Sequence, residues 1–173
     1  MGAKAMSGSA MTSVNSSKVP ALFRNARKYG LLVSGQTVLD FGCGRWPSIA
    51  ADFLAGFGAH PQSYDPAWQP HPERLLGSHY DVVCVSNVLN VIEDDAERRL
   101  AVSTAWGCVK PGGRMIVSVY EADRSGESGA TTKGWQERRT LSSYAANELS
   151  GIPGRIMFGR LWVSDPKKGD PVP

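Results

Sequence analysis

Two glycines one residue apart, Gly42 and Gly44, cut off the run Val38-Leu39-Asp40-Phe41, and Asp65 follows them by about twenty residues. Glycine lacks the side chain that would hold a ligand away from the backbone, so a strand ending in Gly42-Cys43-Gly44 lets a ligand come close. A carboxylate at the end of the next strand is suited to accept hydrogen bonds from both ribose hydroxyls. Alone, the glycines read as a tight loop. Together with Asp65 they point to a site for a nucleoside-bearing ligand. Tyr64 reads equally as a core ring or a ligand contact.

A second polar group is Ser86-Asn87-Val88-Leu89-Asn90. These side chains would align a reacting partner; Asn90 reads equally as the cap of the following helix. Glu121 is either a base, a binding group for a basic partner, or a solvated loop carboxylate. Cys43, Cys84 and Cys108 are odd in number, which suits reduced thiols better than a disulfide framework, and their spacing predicts no metal site. Cys84 and Cys108 read as packed thiols, so a covalent cysteine mechanism is not expected. His60, His71 and His79 are given no catalytic role.

The elements that must position these groups follow from periodicity. Residues 19–29 predict an amphipathic basic helix capped by Ser16-Ser17, with Val19, Leu22, Phe23 and Ala26 on its apolar side. Residues 37–41 predict a buried parallel strand, 48–57 a helix stopped by Gly58, 60–64 a strand reaching Asp65-Pro66, and 80–85 another apolar strand. A helix over 94–106, with Ala96, Leu100, Ala101 and Ala105 inward, precedes a turn at Lys110-Pro111-Gly112-Gly113 and a strand over 114–120. A short helix over 141–149 and a hairpin of 155–157 with 160–164, turned at Phe158-Gly159, complete the pattern. Alternating strands and helices imply a mostly parallel α/β sheet with its ligand site at the strands' carboxyl ends.

The chain has 173 residues, 42% of them hydrophobic, which suits one globular domain over 18–164. Residues 1–17 read as a disordered leader and 165–173 as a disordered tail. No run is long and apolar enough for a signal peptide core or a membrane span, so a cytoplasmic protein with no membrane association is expected. A net charge of +3 is too small to establish nucleic-acid binding. The stretch with Lys133, Trp135, Gln136, Arg138 and Arg139 would suit a phosphate backbone with a base stacked on Trp135, a small acidic metabolite, or plain solvent. The length leaves little room for a separate recognition domain, so a protein partner would have to supply one.

Val38-Leu39-Asp40-Phe41-Gly42-Cys43-Gly44, Tyr64-Asp65-Pro66, Tyr80-Asp81-Val82-Val83 and Lys110-Pro111-Gly112-Gly113-Arg114 together resemble the class I S-adenosylmethionine-dependent methyltransferases. The resemblance spans about residues 34–120 and implies a Rossmann-like three-layer sandwich, mostly parallel, with an antiparallel C-terminal hairpin. It implies S-adenosylmethionine as cofactor and Asp40, Gly42, Cys43, Gly44, Asp65, Pro66, Ser86 and Asn87 as its contacts. It places Asn87 and Asn90 as candidate catalytic groups toward an acceptor that is a small molecule or nucleic acid; Glu121, just past the strand over 114–120, is a third candidate by its position. Val88-Leu89-Asn90-Val91-Ile92 and Thr132-Lys133-Gly134-Trp135-Gln136 are similar to a bacterial and phage group of methyltransferases that includes DNA phosphorothioation-associated ones.

Departures limit the transfer. Arg45-Trp46-Pro47 replaces a third glycine, so Trp46 either crowds or covers the ligand, and Arg45 reads as a carboxylate contact or a surface arginine. The short interval from Asp65 to Tyr80 leaves the third strand abbreviated or absent. No Asn/Asp-Pro-Pro-Tyr segment for adenine methylation and no Pro-Cys nucleophile for cytosine occurs. A noncatalytic cofactor-binding or scaffold subunit is the alternative. A dinucleotide-dependent oxidoreductase is disfavoured by the compressed glycine turn.

Overall fold

The structure, a computed structural model, describes residues 17–69, 79–121 and 127–169. Its main sheet runs β2-β1-β3-β4-β8-β7, built from β1 (Thr37–Phe41), β2 (His60–Tyr64), β3 (Tyr80–Ser86), β4 (Val109–Ser118), β7 (Gly154–Met157) and β8 (Leu161–Ser164). β2, β1, β3 and β4 are mutually parallel. β8 pairs antiparallel with β4, and β7 with β8, which is the expected C-terminal hairpin. β5 (Gly129–Thr131) and β6 (Gly134–Gln136) form a separate small hairpin.

The central strands are apolar on both faces because both faces are covered. Val38, Val82, Cys84, Ile116 and Val163 point toward α1 (Ala21–Lys28) and α2 (Pro47–Ala55), where Leu22, Phe23, Ala26, Ala50 and Leu54 complete the packing. Their neighbours Leu39, Val83, Val85, Met115 and Val117 point the other way, toward α3 (Asp95–Gly107) and α4 (Leu141–Ala146). This is the three-layer α/β sandwich. At the amino-terminal ends of the central strands, opposite the glycine turn, Asp81 accepts from Thr37 N at 2.9 Å and Thr37 Oγ1 at 2.8 Å and pairs with Lys110 Nζ at 2.5 Å. Burial raises the pKa of that carboxyl, but these donors outweigh it and hold it below the usual range.

Several boundaries differ from the sequence expectation. α1 starts at Ala21 with Pro20 as its cap position, so Ser17 lies before the helix; a proline has no N–H to leave unpaired at a helix start. Ser16, the other expected cap, lies outside the described residues. The Lys110–Gly113 turn does not precede β4 but forms an irregularity within it: Tyr80 pairs with Val109 and Val82 with Arg114, with Gly112 at φ +79°. α3 turns Arg98, Ala101, Val102 and Ala105 inward; Ala96 and Leu100 are exposed. Within the expected tail, Lys167 exchanges backbone hydrogen bonds with Gly112 and Gly113, and its Nζ donates to Trp106 O and Val109 O. The expected leader lies outside the described residues apart from Ser17. Among the described residues, no helix is long and apolar enough to cross a membrane.

Candidate active site

A cleft of about 950 Å³ opens at the carboxyl ends of β1, β2 and β3. Its floor is the turn after β1. Gly42 N and Cys43 N both donate to Tyr64 O, at 2.7 and 3.1 Å, which ties the turn to the end of β2. Gly42 and Gly44 have φ of +79° and +68°, a region that costs other residues about 1–2 kcal/mol. Gly42 also faces Val88 so closely that a Cβ would lie 2.3 Å from Val88 Cγ2. The glycine is therefore required by the contact between two strand-end loops as well as by its dihedral.

Asp65 closes this end of the cleft. Its Oδ2 accepts from Gly44 N at 2.9 Å, and its Oδ1 from Ala67 N at 2.9 Å and Trp68 N at 3.1 Å. A carboxylate has about four acceptor positions; the described residues fill three, one of them on Oδ2. Nearby Asp40 is only 4% exposed. Burial, then repulsion from Asp65, pushes its pKa up to about 7. Burial with the same two acids also pushes the Cys43 thiol up, which keeps it protonated and a poor nucleophile.

The opposite wall comes from the chain after β3. Asn87 adopts φ +58° and donates its N–H to Ser118 O at 2.9 Å, turning the chain into a 3₁₀ turn, Leu89–Val91. Asn90 is 2% exposed, and its Oδ1, like Ser86 Oγ, has no hydrogen-bond partner among the described residues. Asn90 does not cap α3; Asp94 does, accepting from Glu97 N at 2.8 Å. The β5–β6 hairpin supplies Thr131, Lys133, Trp135 and Gln136, and α3 supplies Glu97, Leu100 and Thr104.

All eight expected cofactor contacts, from Asp40 to Asn87, border this one cleft together with Asn90. Glu121 does not border it: its Oε1 accepts from Leu141 N at 2.6 Å, at the start of α4. Trp46 borders the cleft beside the first turn of α2. The Arg45 guanidinium lies over the Trp46 and Trp68 rings, 5.1 and 5.4 Å from their centres. Arg139 is paired with Glu148 at 2.7 Å, so that part of the basic stretch serves the fold. Sequence reasoning missed Glu97 and Thr104 as bordering residues. Leu100 was misassigned to the core; its outward place in the α3 period was the available signal.

The sequence profile of the methyltransferase domain family matches residues 11–152, well over half of the chain. The chain belongs to that family. As a member it is an S-adenosylmethionine-dependent methyltransferase. No curated protein sequence matches it significantly. Among solved structures, the methyltransferase is similar to the 1,6-didemethyltoxoflavin-N1-methyltransferase of Burkholderia thailandensis, whose structure holds 1,6-didemethyltoxoflavin and S-adenosylhomocysteine. Identity is 19% over 87% of this chain and 80% of that one, with a TM-score of 0.61. It is also similar to Streptomyces venezuelae DesVI, at 12% identity over 84% and 92% of the two chains and a TM-score of 0.60. The sugar N-methyltransferase KedS8 from Streptoalloteichus matches at 14% identity over 91% and 97%, with a TM-score of 0.55. These likenesses concern the fold.

The residues present suit the methyltransferase's cofactor. A side-chain-free floor, an aspartate beside it and a cleft at the upper end of the ~300–1,000 Å³ usual for ligand sites leave room for a nucleoside cofactor and a small second ligand.

Proposed function

We propose that this methyltransferase holds its cofactor along the ends of β1 and β2 and presents a small-molecule acceptor from the opposite wall, between Asn90 and the β5–β6 hairpin. The observation that carries the reading is the single cleft that joins the Gly42–Gly44 turn and Asp65 to Asn90 and the β5–β6 hairpin. Gly42, Cys43 and Gly44 would let the methionine part lie against the backbone. Asp65 Oδ2 would accept one ribose hydroxyl without disturbing the 65–68 turn; accepting two requires Ala67 or Trp68 to give up its bond. Pro66, Ser86 and Asn87 would border the cofactor, with Trp46 covering it.

S-adenosylmethionine supplies, when bound, a methyl group on a positively charged sulfur that leaves as a neutral thioether. The protein's task is then alignment and exclusion of water. Asn87 and Asn90 stand on the wall between the two ligands, and the strained Asn87 backbone fixes where the 3₁₀ turn begins. Glu121, tied to Leu141 N, is given no part. A small molecule is favoured over nucleic acid because Arg139 is engaged with Glu148 and because Lys133 and Trp135 border the cleft. The likeness to the phosphorothioation-associated group rests on 88–92 and 132–136, two segments that both contribute to that wall.

The test is Asp65→Ala. S-adenosylhomocysteine affinity measured by calorimetry should fall about tenfold or more, with the thermal transition retained. Unchanged affinity in the folded variant contradicts the ribose assignment.

A further inference from the structure

The cleft extends from the cofactor side onto α3, where Glu97, Leu100 and Thr104, at helical spacing, form its border. Glu97 is half-buried, and its carboxylate has no hydrogen bond or ion pair among the described residues. Its place in the helix makes that informative. An acid three residues after a capping side chain ordinarily reaches back to the N–H of the cap residue. Asp94 does accept from Glu97 N at 2.8 Å, but the return bond is not made among the described residues, and Glu97 borders the cleft instead. The adjacent Arg98 is no counter-ion for it, because that guanidinium binds Ile92 O, Glu93 O, Asp95 and Glu148.

The surroundings of Glu97 suit an organic cation. Trp135 and Tyr120, the latter 59% exposed, border the same cleft, and an aromatic face attracts an ammonium or amidinium group. Trp135 is fixed near the first turn of α3: its Nε1 donates to Glu137 Oε2 at 3.2 Å, and Arg98 Nη1 lies 3.6 Å from that same oxygen. Leu100 and Ala101 add apolar surface. Lys18 and Lys133 also border the cleft, but both are exposed, and a lysine's long stem lets its ammonium stay in water. Glu97 is shorter, less exposed and carried on a capped helix, so charge discrimination falls to it.

We propose that the methyl acceptor carries a positively charged amine or amidine that pairs with Glu97, with its apolar body against Trp135 and Leu100. This rests on the methyl-transfer reading of the same cleft. A protonated nitrogen has no lone pair with which to attack, and the positive sulfur of S-adenosylmethionine repels it. The charged group therefore stays at the α3 end and orients the acceptor, while another atom of the acceptor receives the methyl group. Glu97 is thus a specificity-determining residue.

The test measures, by calorimetry, the binding of benzamidine, benzamide and benzoate to protein saturated with S-adenosylhomocysteine, which fills the Asp65 end of the cleft. The three probes share one ring and differ mainly in charge. Benzamidine should bind about tenfold more tightly than benzamide, and benzoate more weakly than either. The benzamidine preference should shrink as salt is raised. In Glu97→Gln, benzamidine and benzamide should bind alike while S-adenosylhomocysteine still binds. Benzoate as the tightest probe would show that Lys18 and Lys133 set the charge preference, and overturns the inference. Equal binding of benzamidine and benzamide to the wild-type protein, no binding of any probe, or a preference kept in Glu97→Gln also overturns it, and each leaves the cofactor reading intact. Failure of S-adenosylhomocysteine itself to bind overturns both. The wild-type ratios and their salt dependence decide the matter even if Glu97→Gln does not fold.

Discussion

At the scale of single residues, the site is defined by two acids in different states. Asp65 is ringed by backbone donors, whereas Asp40 is sealed beside it and has its pKa raised from 3.8 to about 7. A raised carboxyl pKa favours the folded state most below about pH 4, and that contribution is lost as pH rises to about 7. A positively charged ligand in the cleft favours the ionised form. S-adenosylmethionine affinity should therefore rise from about pH 6 to about pH 8, with proton release visible as a dependence of calorimetric heat on buffer ionisation enthalpy. In Asp40→Asn the affinity should be flat over that range. A wild-type affinity independent of pH would show that Asp40 does not sense the ligand.

At the scale of elements, the decisive contact is between the turn after β1 and Val88. Gly42→Ala places a Cβ 2.3 Å from Val88 Cγ2 at φ +79° and should cost about 2 kcal/mol or more of stability, with loss of S-adenosylhomocysteine binding. Adding Val88→Ala should restore binding in part, because space returns while the backbone strain stays. Calorimetry of the single and double variants checks this. The glycine turn and Asp65 were legible in the sequence because each is a local signal: a strand end, two glycines, an acid at the next strand end. The buried place of Asn90 on the cleft wall was not legible, because it depends on a 3₁₀ turn and on Asp94 taking the capping role. That Glu121 lies off the cleft was not legible either, because the donor it accepts from, Leu141 N, lies twenty residues away. Leu100 misled because it is apolar and adjoins the inward Ala101, although the period of Arg98, Ala101, Val102 and Ala105 leaves it on the outer face. The β5–β6 hairpin gave only a basic, aromatic composition, and its place over the cleft depends on Glu137.

At the scale of the whole molecule, the sheet separates tasks: the Asp81 cluster fixes one end and the ligand cleft occupies the other. On the α3 and α4 side, Glu148 is buried between Arg98, at 3.0 Å, and Arg139, at 2.7 Å. Burial alone would raise the pKa of Glu148, but the hydrogen bonds and charge of Arg139, with Arg98, outweigh it and hold the carboxyl below its ordinary 4.5. The stability it contributes is present above about pH 4.5 and lost as pH falls through the lowered folded value. With the opposite trend from Asp40, thermal stability should peak on the mildly acidic side of neutrality. Glu148→Gln should cost about 3 kcal/mol near neutral pH, read by urea unfolding, because it leaves two arginines short of a partner. A cost near zero would show that the network is not needed to join α3 and α4. The most direct test of the central claim is a calorimetric titration of the purified methyltransferase with S-adenosylhomocysteine, with NAD as control. The account predicts saturable one-to-one binding of S-adenosylhomocysteine and none of NAD; no binding of S-adenosylhomocysteine, or equal binding of NAD, would contradict it.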